Sequence, residues 1–81
     1  MSTARPSYRL PQGLWLCGRY LVVSRVTADQ MRDVVADQDG ALGAWDRDTE
    51  TIYVARGLPP AQAARVYAHE LLHALVDLLD P

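Results

Sequence analysis

The chain has 81 residues and a formal net charge of −2, with 49% hydrophobic and 22% charged residues. That length holds one small domain and excludes a second core or a repeat array. The composition excludes wholesale disorder, and the mild acidity gives no electrostatic case for nucleic acid or an anionic membrane.

No apolar run approaches the length of a bilayer span, and the opening MSTARPSYRLP lacks the apolar centre of a secretory signal. Cys17 is the single cysteine, so no intramolecular disulfide forms. A reducing cytoplasm is therefore the expected compartment. A core this small stabilises only marginally, and a bound metal, a partner or self-association would add to it.

Residues 1–12 read as a flexible, irregular arm broken by Pro6 and Pro11, with Tyr8 able to dock on the domain. The single domain spans residues 13–81. Residues 13–26, GLWLCGRYLVVSRV, gather aromatic and β-branched residues and predict a hairpin, 14–17 against 20–26, turning at Gly18-Arg19. Residues 27–38, TADQMRDVVADQ, predict a short helix. Thr27 is its N-cap, Gln30 completes a capping box, and Met31, Val34 and Val35 form an apolar stripe. Asp39-Gly40 marks a break. Residues 41–56 predict a second hairpin, Ala41–Trp45 against Glu50–Ala55, around the polar turn Asp46-Arg47-Asp48-Thr49. In its second arm Thr51, Tyr53 and Ala55 face one way, and Ile52 and Val54 the other. Pro59-Pro60 suits the first turn of a helix that runs unbroken from Ala61 to Leu79. The expected fold class is α+β: a small antiparallel sheet of two hairpins packed against a short helix and a long C-terminal helix.

The last helix carries His69-Glu70-Leu71-Leu72-His73, an H-E-x-x-H pattern that contains both histidines of the chain. Residues four apart share a helix face, so both imidazoles can reach one Zn²⁺. Glu70 is rotated about 100° from His69 around the axis, beside the metal rather than on it. There its carboxylate can take a proton from water activated by the metal and pass it to a leaving amine. Tyr67, Leu71, Leu75 and Leu78 supply the core face of the same helix. The pattern fixes only three positions and also arises by chance, so a helix without metal stands as the bland alternative.

The segment VYAHELLHALVD resembles the active helix of zincin metallopeptidases. The longer stretch DGALGAWDRDTETIYVARGLPPAQAARVYAHELLHAL is similar to small phage and bacterial proteins of the ImmA/IrrE-like, gluzincin-type group. In that group a strand pair with a G…D…I pattern, here Gly43, Asp46 or Asp48, and Ile52, feeds into the HExxH helix. The resemblance covers residues 13–79 and is most specific over the helix. It implies a zinc-dependent peptidase fold with His69 and His73 as ligands and Glu70 as general base. The expected location is the cytoplasm, or the virion if the chain is phage-encoded.

The chain departs from such proteins in one respect. They take a third protein ligand, usually Glu or Asp, from a segment after the active helix, and only eight residues follow His73. Asp77 lies about 6 Å further along the axis than His73, which argues against direct ligation in an unbroken helix. It is better placed to contact the His73 ring at i, i+4 and fix its tautomer, with a solvent-facing Asp as the alternative. Asp80 is within reach only if the helix frays. Cys17 is a second candidate, since an upstream cysteine completes the site in the HExxH peptide deformylases, but a half-buried strand cysteine is the stronger reading. Another protomer or a partner could also supply the ligand.

Trp15 and Trp45 could edge a substrate cleft, although core packing is the commoner role of hairpin aromatics. Arg65, four before His69, reads as a solvated arginine, and Asp46 and Asp48 read as turn residues. From Val66 to Leu79, 10 of 14 residues are apolar. A helix that apolar is normally covered on most sides, which predicts a homo-oligomer or a protein partner over it. Two functions follow as expectations. The first is a zinc metallopeptidase-like protein acting on a peptide or protein substrate. The second is a non-catalytic interaction or structural module that keeps the zincin helix in an oligomer or larger assembly.

Overall fold

The computed structural model describes residues 9–35 and 41–80. Its elements run β1 (Gly13–Leu16), β2 (Arg19–Val26), α1 (Ala28–Val34), β3 (Gly43–Asp46), β4 (Thr51–Ala55) and α2 (Pro60–Leu79). The fold is α+β. The expected arm at residues 1–8 and the Asp39-Gly40 break lie outside the described residues, as do residues 36–38, while α1 already ends at Val34 with Val35 its non-helical C-cap, short of the helix expected to residue 38. Of the arm's remainder, Leu10 packs against the core and the Gln12 carbonyl accepts the Val23 N–H at 2.9 Å, so the folded unit begins before residue 13.

Both hairpins form, with β1 antiparallel to β2 and β3 antiparallel to β4. The seam between them differs from the expectation. Strands β2 and β4 run parallel, Val22 opposite Thr51 through Val26 opposite Ala55, so the sheet is mixed and ordered β1-β2-β4-β3. The chain between β2 and β4 passes through α1 and β3, which is long enough to return β4 in the same direction as β2. The first turn sits at Cys17-Gly18, both at positive φ (53° and 78°), one residue before the predicted position. Two consecutive left-handed residues match the twist of a tight hairpin.

Side-chain alternation splits the core between the two faces of the sheet. Leu21, Val23, Ile52 and Val54 are buried with Ala63 and Ala74 of α2 on one face. Val26 and Ala55 are buried with Met31 of α1 on the other. Central strand β4 is covered on both sides, and so Thr51 is buried as well as Ile52. The short side chains of Ala63 and Ala74 let α2 lie close to the sheet. Thr27 caps α1 as expected: its hydroxyl accepts the Gln30 N–H, and the Gln30 side-chain oxygen accepts the Thr27 N–H. Among the described residues, no helix is long and apolar enough to cross a membrane.

Candidate metal centre

Helix α2 packs across β4 and β3, which sets its middle turns beside the edge strand β3. His69 and His73 are exposed there, and Glu70 is half-buried. The two imidazoles converge. Their Nε2 atoms stand 3.0 Å apart, with ring centroids at 4.6 Å and ring planes at 79°. This contact is a hydrogen bond, one ring donating its Nε2–H to the lone pair of the other. Two nitrogens bound to one tetrahedral zinc at its usual bond lengths lie about 3.3 Å apart. The pair is thus within a few tenths of an ångström of the spacing that zinc requires.

Glu70 is placed by Gly43. A methyl group on Gly43 would lie 2.5 Å from Cγ1 of Val66, 3.0 Å from Cγ of Glu70 and 3.2 Å from its Oε2. Only glycine lets β3 come this close to α2, because the Val66 and Glu70 side chains fill the space a β-carbon would need. A cleft of about 660 Å³ lies on one side of this contact, lined by Gly43, Trp45, His69, Glu70, His73 and Asp77. A second, of about 300 Å³, lies on the other side and reaches Leu42 and Arg65. Gly43, His69 and Glu70 border both, so the two form one groove along β3.

Asp77 shares the cleft, but its strong contact is not the expected one. Its Oδ2 accepts the indole N–H of Trp45 at 2.6 Å, and no hydrogen bond joins it to His73 among the described residues. Trp45 packs against the core and reaches α2 at the same time. A half-buried indole still favours an acceptor, and the lone N–H of Trp45 was the available sequence signal for this link. Gly43 within a strand was the corresponding signal for the close approach to Glu70.

The other candidates lie elsewhere. Cys17 is exposed in the β1–β2 turn, so the half-buried strand reading does not hold, and it belongs to no metal-holding cluster among the described residues. Trp15 is 73% exposed and meets Tyr20 edge to face at 5.3 Å, so it packs no core. Asp46 serves its turn, accepting from the backbone N–H groups of Asp48 (2.9 Å) and Thr49 (3.4 Å). Asp80 caps the end of α2 and is exposed. Among the described residues, no three His, Cys, Asp or Glu side chains are disposed to hold a metal together. The spacing of the two histidines suits a zinc ion, and among the described residues no third donor joins them.

No protein-family model, curated protein or solved structure matches this chain.

Proposed function

We propose that the chain is a minimal zinc-dependent hydrolase of the zincin type, acting on peptide bonds. The observation that carries this reading is the convergence of the His69 and His73 Nε2 atoms beside Glu70 on the wall of a groove. His69 and His73 would hold zinc. When bound, zinc supplies a Lewis acid for a carbonyl oxygen and lowers the pKa of water. Glu70 takes the proton of the attacking water and returns it to the departing amine. Among the described residues β3 has a strand partner on one side only, so its other edge offers backbone groups to an extended peptide. That supports a peptide as the substrate class.

The test is Glu70→Gln. Zinc content should stay as in the unaltered protein, while hydrolysis of a fluorogenic peptide library falls about 100-fold or more. Equal hydrolysis by the variant would sink the mechanism. The second reading, a non-catalytic interaction module, draws support from the absent third donor and from Leu72, Val76 and Leu79, each more than half exposed on α2. It predicts zinc binding or assembly with no hydrolysis by either protein.

A further inference from the structure

We propose that a second copy of this chain closes the zinc site, its own His69 and His73 supplying the missing donors. The inference rests on the same histidine pair as the proposed function.

The face of α2 that carries His69, with exposed His73 at its margin, suits a helix partner. Arg65, His69, Leu72, Val76 and Leu79 are all exposed and fall at alternating steps of four and three residues. That spacing is the seam by which one helix packs along another. Leu72 and Val76 flank the histidines and are 59% and 58% exposed. Apolar side chains beside a polar metal site are more costly to leave in water than to cover.

Self-pairing is favoured by what the seam brings together. Place a twofold axis on the exposed face of α2 at the level of residue 71, midway between the histidines, with the two helices antiparallel. His69 of one copy then faces His73 of the other, and Arg65 faces Asp77. The first exchange gives four imidazoles around one point, the donor number of a closed tetrahedral site. Crossing the helices obliquely turns one histidine pair across the other. The second exchange sets opposite charges at both ends of the contact, and a parallel arrangement would lose them. Asp77 has one carboxylate oxygen held by Trp45, which fixes the group while its other oxygen can meet the guanidinium. Neither copy alone presents a third donor among its described residues.

A four-nitrogen site has no open position. The dimer is then a latent form, and the hydrolytic form is the monomer, with zinc held by one pair. Dilution activates and concentration silences.

The experiment is a titration of the metal-free chain with zinc alone, read by sedimentation and by elemental analysis. Zinc should double the mass from that of one 9.0 kDa chain and bind at one ion per two chains. A chelator should reverse both. His73→Ala should lose both, with an unchanged circular dichroism spectrum. Arg65→Glu reverses the charge pair at both ends of the contact and should weaken the dimer by about tenfold or more, and Arg65→Glu with Asp77→Arg should restore it. One zinc per monomeric chain would overturn the dimer and leave the hydrolase reading standing. Dimers that hold one zinc in each chain would also overturn it. A chain that binds no zinc would overturn this proposal and the zinc site together.

Discussion

Gly43 has no side chain, and that absence sets the width of the site. The nearest atoms to a methyl group placed there belong to Val66 and Glu70, both on α2. Gly43→Ala should push β3 off the helix at a cost of about 1–3 kcal/mol, the usual range for overpacking. Urea denaturation would report the lost stability. Hydrolysis should fall further than the unfolded fraction explains, because Glu70 moves with the strand. A midpoint and rate equal to those of the unaltered protein would show that β3 does not hold this spacing. Cys17 presents the opposite case, a side chain where the backbone disfavours one. At φ 53° it occupies the left-handed region beside Gly18. Asparagine tolerates that conformation better, so Cys17→Asn should stabilise the hairpin by about 1 kcal/mol, measurable as a higher midpoint. The turn's composition was visible in the sequence. Its phase was not, because Cys17-Gly18 and Gly18-Arg19 both contain the one glycine that a tight turn wants.

Elements hold one another through a few polar ties. Arg19, at the start of β2, donates from Nε and Nη2 to both carboxylate oxygens of Glu50, in the turn before β4, at 2.7 and 2.9 Å. Hydrogen bonding from Arg19 holds the Glu50 carboxyl below its ordinary pKa of 4.5. A carboxylate depressed in the folded state contributes stability above its unfolded pKa. That contribution fades as pH falls through the lower, folded value. Glu50→Gln should therefore lower the melting temperature slightly at pH 7, and the gap should close in acid, as pH falls through the lowered carboxyl value. Tyr67 runs the other way, since burial raises its phenol pKa above 10.0. It favours the neutral form in the fold, so its contribution holds at neutral pH and is lost as pH rises through the raised value. For α1 the cap matters most. Thr27→Ala removes the acceptor for the Gln30 N–H and should cost about 1 kcal/mol, read as a lower melting temperature. This helix was legible from residues 27–30 alone because both partners of the capping box are local. The tie from Trp45 to Asp77 spans 32 positions, and no local pattern announces it.

Across the whole molecule the same contrast holds. Hairpins and the HExxH helix follow from short-range alternation and spacing, so their existence was readable in the chain. The order of the strands was not, because Val22 meets Thr51 across 29 positions and either relative direction satisfies the same apolar pattern. The histidine pair was readable as i, i+4, whereas the groove that surrounds it depends on β3 coming alongside α2. Among the described residues the largest fully buried side chains are Leu21, Ile52 and Val54, a small core. Ile52→Ala should cost about 2–5 kcal/mol, a large part of the stability expected for so short a domain, and leave the variant mostly unfolded at 37 °C. Zinc at a hundredfold excess over its dissociation constant should return about 2.7 kcal/mol if it binds only the folded chain, a rescue that circular dichroism would detect. The parallel seam also sets a clock. Each hairpin closes over a few residues and can form in microseconds, while β2 cannot find β4 until a long loop has closed. Joining the two hairpins is then the slow event of folding. A substitution at the seam such as Val54→Ala should retard refolding in stopped-flow traces more than Thr27→Ala, which acts on a helix that can form later.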